Sequence, residues 1–340
     1  MKAGNRELYA AAIALLATVA IGSALVMIVG RGPGHVWQEM VVRVATDPSR
    51  LGQVVYRATA LALTGLAVSV ALDAGLFNIA GEAQLAAGVL ACAVVGAGLP
   101  AGTPWLVAIP LCTIAAAAAG GAIGALIGAG RAFRGAHEVI TSIMLNEIVA
   151  AVVLWIGNTF LFENGTTTGP PIVPGARLPQ LIAGSSANAS CVIAVAAVIV
   201  VWWLRERTTW GHALRAVGRD PEAARAVGIS VRRVQVIAMT FAGALAGLAA
   251  TNFVLGDRHA IEEGLGRGFG FVGLSSALLG RLNPIGVAAA SIVLAFLSVG
   301  GLAVEDLVPK ELPEMLQGVV VIAIAASVPW TRRHVRRSRA

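Results

Sequence analysis

ALRAVGRDPEAARAVGI, residues 213–229, is a charged helical island in a chain that is otherwise overwhelmingly apolar. Asp220 before Pro221 reads as an N-cap followed by a first-turn proline, Glu222 favours the same positive helix end, and Gly228 reads as the C-terminal stop. These signals predict a helix of about two turns. Its charges place it in water. The small residues Ala223 and Ala224 beside the capped start suit a short helix that docks in another protein's groove, with an ordinary solvated loop as the alternative.

What surrounds the island decides the fold. Of 340 residues, 57% are hydrophobic and 13% charged, and the mean hydropathy is +0.80. Soluble domains hold roughly 45–50% apolar and about 25% charged residues, so the composition predicts an all-α, polytopic membrane protein. Apolar runs long enough to cross a bilayer lie at 8–30, 54–74, 78–99, 105–129, 139–157, 186–204, 233–255, 284–303 and 314–330. A further run, 269–282, is too short to cross alone and reads as a re-entrant or broken segment, which gives about nine to ten spans. Residues 8–30 exceed the apolar core of a signal peptide and lack a small-x-small cleavage site, so they read as a retained first span.

Orientation follows from the cations, because cytoplasmic loops retain Lys and Arg. With the N-terminus inside, the cytoplasmic segments hold Lys2, Arg6, Arg131, Arg134, seven arginines from Arg205 to Arg233 and five from Arg332 to Arg339. The outer segments hold only Arg31, Arg43, Arg50, Arg177, Arg258, Arg267 and Lys310. Both termini are therefore expected in the cytoplasm. The whole chain reads as one transmembrane domain, 1–340, with a cytoplasmic coupling segment at 205–232, outer loops at 31–53 and 158–185, and a basic cytoplasmic tail at 331–340. The net charge of +7 is divided among juxtamembrane segments. That pattern argues against nucleic acid as a partner and for anionic lipid headgroups, above all at the tail TRRHVRRSR.

Several chemistries find no support. A phosphate-cradling loop GxxxxGK[ST] needs a lysine, and Lys2 and Lys310 stand in no such context. Any ATP and Mg²⁺ would thus be bound by a partner chain, and no cofactor is expected in this one. His35, His137, His212, His259 and His334 are dispersed, and Cys92, Cys112 and Cys191 lie in apolar runs, so neither a metal site nor a disulfide is expected. No GxSxG marks a hydrolase, and the run Gly264, Gly266, Gly268, Gly270 has no preceding strand to make it a dinucleotide fingerprint. Gly120, Gly124 and Gly128, like Gly243 and Gly247, recur every four residues, a spacing that lets helices approach closely in lipid.

Polar groups inside spans are expensive and usually face a cavity or one another. In GLFNIAGEAQ, Asn78 and Glu82 stand four apart and Phe77 and Gln84 seven apart, each pair sharing a face if the segment is helical. Glu138, Ser142 and Asn146 form a stripe at i, i+4 and i+8, and Asn252 lies beside Phe253 near a span end. Phe77, Asn78, Glu82, Gln84, Ser142, Asn146 and Asn252 are the candidate pathway residues. A neutral polar path with aromatics suits a hydroxyl-rich or heterocyclic solute better than an ion; hydrogen bonds that merely fix the bundle are the alternative.

Taken in order, several segments resemble one family across roughly residues 54–328. GLFNIAGEAQLAAG (75–88) is similar to the FNIG-x-EGQ segment of ABC importer permeases in the nucleoside and simple-sugar branch, and TSIMLNEIVA (141–150) resembles that branch's T-x-MLN-x-IA. The EAA-x3-G pattern of Glu222, Ala223, Ala224 and Gly228 resembles the permeases' coupling helix. GRGFGFVGLSSALLGRLNPIGV (266–287) and LPEMLQGVVVIAI (312–324) follow in the family's order. Two departures stand out: Ala83 occupies the place of a glycine before Gln84, and Gly270-Phe271-Val272-Gly273 lacks the acid of the family's GFDG.

The resemblance implies an ATP-driven importer subunit of the bacterial plasma membrane, with no enzyme activity of its own. It also implies cytoplasmic ATPase subunits, a second permease forming a heterodimer, and an extracytoplasmic lipid-anchored solute-binding protein. A branched-chain amino acid permease and a self-sufficient secondary transporter, for which Asp73, Glu82 and Glu147 would be the ion-site candidates, are the competing readings.

Overall fold

The computed structural model describes residues 19–308 apart from Leu25, Val29 and Asn164, together with Met315 and Gly318. The described residues contain no strand, only isolated bridges at Thr168–Glu262 and Gln180–Asn188, and are otherwise helices and their connections. They hold six helices long and apolar enough to cross a membrane, or up to seven if the bent pair Val19–Ile28 and Pro33–Thr46 counts as one span. The run at 314–330 and much of that at 8–30 lie outside the described residues.

The helices are α1 (Pro33–Thr46), α2 (Pro48–Asp73), α3 (Gly81–Gly98), α4 (Trp105–Arg134), α5 (Glu138–Ile156), α6 (Ser190–Arg207), α7 (Thr209–Arg219), α8 (Pro221–Ala226), α9 (Val231–Leu248), α10 (Ala250–Phe253), α11 (Phe269–Leu279) and α12 (Pro284–Ala303). Helix α1 corrects the expectation of an outer loop over 31–53. Its buried Val36, Met40 and Val44 form an apolar stripe at helical spacing, with Pro33 in the first turn, so the segment packs as an amphipathic helix. Arg43 ties it to the end of α12, donating to the Ala303 carbonyl at 2.9 Å and pairing with Asp306 at 2.6 Å.

Lipid gives helices no hydrophobic drive to associate, so close approach rests on small residues. Helices α4 and α9 run antiparallel, and their glycines face one another. A Cβ on Gly120 would lie 2.8 Å from the Gly247 Cα, and one on Gly124 would lie 3.2 Å from the Gly243 Cα. Gly88 of α3 meets the same Gly247 from another side. The core thus centres on α2, α3, α4 and α9.

Two breaks between helices run through the bundle without helical bonding. Helix α2 ends at Asp73; Gly75 turns with φ +73, and residues 76–79 run without helical bonding before α3 begins at Gly81. Helix α10 passes into a π-helical turn, Val254–Arg258, then a loop with positive φ at Gly264, Gly266 and Gly268, before α11 begins at Phe269. The 269–282 segment does not turn back. It runs along α2 from Thr64, whose hydroxyl donates to the Phe269 carbonyl at 3.1 Å, to Ser69, whose hydroxyl donates to the Leu282 carbonyl at 2.9 Å. It reaches the arginine-rich end of the bundle, and α12 returns from there to bring Ser298 against Arg57.

Candidate functional site

The two breaks meet. Gly81, the first residue of α3, lies so close to Gly270 that a Cβ on Gly81 would sit 3.0 Å from the Gly270 Cα, and a Cβ on Gly270 would sit 2.6 Å from the Gly81 carbonyl carbon. Only glycine permits this approach. The first N–H groups of each helix lack intrahelical partners, and both positive helix ends are therefore directed at the same small volume within the bundle.

Glu82 answers that charge. Its carboxylate accepts from the N–H of Gly268 at 3.1 Å, Gly270 at 3.0 Å and Phe271 at 3.2 Å, while the residue itself stands in the first turn of α3. Buried backbone groups freed by a helix break need such partners. Asn146 of α5 supplies the rest: its side-chain oxygen accepts from the Ala83 N–H at 3.0 Å and its amide donates to the Ile79 carbonyl at 3.1 Å. Glu82 thus joins the two breaks, and Asn146 fixes the one that leads into α3.

Beside the crossing lies a cavity of about 260 Å³, lined by Glu82, Leu85, Val89, Asn146, Glu147, Val153, Phe162, Glu262, Glu263, Arg267 and Phe271, among others. Four carboxylates and one guanidinium share it with apolar walls and two phenyl rings. Such a site offers hydrogen-bond acceptors, an amide that both donates and accepts, and ring faces for stacking.

Of the seven residues the sequence singles out, the structure places Glu82 and Asn146 in this cavity and the others elsewhere. Asn78 precedes α3, so its expected shared helix face with Glu82 does not exist. It is buried and pairs reciprocally with Gln84. Ser142 is wholly buried, and its hydroxyl has no partner among the described residues. Asn252 sits in a knot, accepting from Ser190 Oγ at 2.8 Å and donating to the Tyr56 carbonyl at 3.1 Å. Phe77 is half-buried in the first break and does not line the cavity. Conversely, Glu262, Glu263, Arg267 and Phe271 line it although the sequence does not mark them as pathway residues; the nearest signals are the glycine run at 264–270 and the family-like segment around Phe271.

At the arginine-rich end, the island folds as two helices, α7 and α8. Asp220 caps α8, accepting from the N–H of Glu222 at 2.9 Å and Ala223 at 3.1 Å, with Pro221 at the first position. Gly228 has φ +86 and closes the turn, donating to the Arg225 carbonyl while Ile229 reaches back to Ala224. Ala224 is not on the outward face: it is buried against the bundle, whereas Glu222, Ala223, Ala226 and Val227 are exposed.

Two helix starts meeting at a polar cavity inside an apolar bundle, with a capped helix at its arginine-rich end, are what a multi-pass transporter subunit presents. Residues 50–325 match the family described as branched-chain amino acid transport system / permease component, and the chain belongs to that family. It is 31% identical to the guanosine ABC transporter permease protein NupP of Bacillus subtilis, over 93% of this chain and 92% of that one. It is also 31% identical to the glucose ABC transporter permease protein TsgB13 of Haloferax volcanii, over 95% and 88% of the two chains. A second guanosine permease protein of Bacillus subtilis, NupQ, is 28% identical over 79% of this chain and 88% of its own.

Proposed function

We propose that this chain is the transmembrane subunit of an ATP-driven importer of the bacterial plasma membrane, and that nucleosides or simple sugars pass through it. The cavity at the crossing of the two breaks carries the reading. Its acceptor-rich wall suits solutes that present several hydroxyl or ring N–H donors, and the four carboxylates against one guanidinium disfavour anionic solutes such as nucleotides. The relatives named for guanosine and glucose transport support the same solute classes.

A second permease completes the path. Glu147 stands at the middle of α5 on its exposed side, beside Ile143, Met144 and Ile148. Glu147 also lines the cavity, which therefore opens onto this face of α5, and the partner permease closes it. That NupP and NupQ are two permeases of one organism, both named for guanosine, supports a heterodimer. Cytoplasmic ATPase subunits take α8, with the arginine-rich end of the bundle facing the cytoplasm. A lipid-anchored binding protein delivers solute at the opposite end, where 158–185 lies.

The test is uptake by the reconstituted complex, with a panel of nucleosides, pentoses, hexoses and branched-chain amino acids. ATP-dependent uptake confined to nucleosides or sugars supports the reading, and uptake of branched-chain amino acids alone overturns it.

A further inference from the structure

Helix α11 touches both regions that transport must connect. At one end its first N–H groups grip Glu82 in the cavity wall. At the other, beyond its last turn, the Leu282 carbonyl accepts from Ser69 and from the Arg205 guanidinium. Eleven helical residues span roughly 16 Å, a rigid rod at this length.

Arg205 occupies a special position. It stands in the last turn of α6, which leads through Thr208 into α7, the helix just before α8. Its Nε lies 3.2 Å from the Asp73 carboxylate at the end of α2, and its own carbonyl accepts from Arg215 of α7 at 2.6 Å. Gly218 of α7 packs directly on Gly75, where a Cβ would meet the Gly218 Cα at 3.1 Å. Helix α7, which leads directly into α8, is therefore tied to the base of α11 through two guanidiniums in series, Arg215 on the Arg205 carbonyl and Arg205 on the Leu282 carbonyl.

Both ends of the rod are jointed. Arg281 and Leu282 hold φ of 54 and 60, a left-handed conformation that side chains other than glycine, asparagine and aspartate adopt at some energetic cost. At the cavity end Gly268 has φ +91. A rigid element between two joints, held at each end by specific polar contacts, is what discrete rearrangement of a packed bundle requires.

We propose that α11 is the lever that carries the movement of the ATPase-docking segment to the solute cavity, with Arg205 as the positioning residue that couples the docking segment to it. This rests on the proposed docking of an ATPase at α8 but not on the identity of the solute. When α8 is displaced, Arg205 draws the Leu282 carbonyl with it, α11 shifts along α2, and the three N–H groups at its far end move Glu82 and the cavity wall.

The experiment uses the assembled complex, with its second permease and ATPase subunits, in proteoliposomes. Ala150, which lines the cavity, is replaced by cysteine as a probe in a Cys191→Ser background, and its maleimide labelling is timed with and without ATP plus vanadate. Trapping is expected to change the labelling rate about fivefold or more. In Arg205→Gln the change is expected to vanish while ATP hydrolysis continues. Arg205→Lys, which keeps the charge but cannot span both Asp73 and Leu282, is expected to fall between, and it carries the test should Arg205→Gln not assemble. A full change in Arg205→Gln, a parental response in Arg205→Lys, or no ATP-dependent change in the parent would each overturn the lever. Failure of the parent to import nucleosides or sugars would leave the labelling result standing and would count against the solute reading alone.

Discussion

Asn78 and Gln84 form a reciprocal amide pair: Asn78 Nδ2 donates to Gln84 Oε1 at 2.9 Å, and Gln84 Nε2 donates to Asn78 Oδ1 at 3.1 Å, with both side chains buried. Asn78 Oδ1 also accepts from the Ala80 N–H at 3.2 Å. The pair staples the non-helical stretch between α2 and α3 onto the first turns of α3. Gln84→Leu leaves both polar atoms of Asn78 without a side-chain partner in an apolar interior, at a cost of about 1–3 kcal/mol. The amount of folded, assembled complex is expected to fall in proportion to uptake, as measured by fluorescence-detected size exclusion beside a transport assay. Retained assembly with altered solute preference would instead place Gln84 in the pathway.

The Gly81–Gly270 contact allows no side chain on either partner. Gly270→Ala would bring a methyl carbon to 2.6 Å from the Gly81 carbonyl carbon, and overpacking of this kind costs about 1–3 kcal/mol. The crossing is expected to open, with uptake lost and thermal stability lowered. Glu263→Gln alters only an exposed cavity carboxylate, so it should change apparent solute affinity at unchanged stability. A thermal shift and an uptake titration on both variants separate the cases.

Much of this was legible in the chain. Apolar run length alone located the long helices, because a bilayer imposes one length scale on every crossing. The Asp220-Pro221 start and Gly228 stop were legible because capping chemistry is local. What failed was the assumption of helical periodicity through residues 77–84. Gly75 breaks the chain there, and a broken span is stabilised by groups far away in sequence, Asn146 and the N–H groups of 268–271, that no local pattern reveals. The loop acids Glu262 and Glu263 were invisible for the same reason: their place in the cavity depends on how the segment 259–268 enters the bundle. Residues 33–46 were missed because an amphipathic surface helix lacks the unbroken apolar run used to find spans.

His259 sets an expected pH dependence at the end of the bundle away from Arg205. Burial, with the nearby Arg177 cation, lowers its pKa below the ordinary histidine value, partly offset by backbone hydrogen bonding and Asp257. The folded state thus favours the neutral ring. The stability it contributes is present above the ordinary value near 6.5 and is lost as pH falls through the lowered folded value. Its carbonyl accepts from the Ile172 N–H at 2.8 Å, so the 169–178 segment should loosen first. Protection of those amides, taken relative to the intrinsic exchange rate at each pH, is expected to fall as the pH drops below the ordinary histidine value near 6.5. His259→Asn tolerates the left-handed φ of 56 and should remove the dependence; an unchanged pH profile in that variant would assign it elsewhere.

Helix α8 separates docking from folding within six residues. Ala224 is 3% exposed and packs on the bundle, whereas Val227 is 76% exposed and lies beside the exposed Ala223 and Ala226. A large apolar side chain left in water at the end of a capped helix suits a partner's groove. Ala224→Asp buries an unpaired carboxylate, so it should lower folded protein and transport together. Val227→Asp touches nothing in this chain that would be disturbed. It should leave the permease folded, weaken ATPase co-purification by about tenfold, and abolish coupled uptake; one truncated or charged interface anchor commonly costs 1–2 kcal/mol or more, about tenfold in affinity. Pull-down of the ATPase subunits with each purified variant distinguishes the two. ATPase recovery at the parental level with Val227→Asp would remove this face from the docking site, and the coupling role would then have to rest on α7.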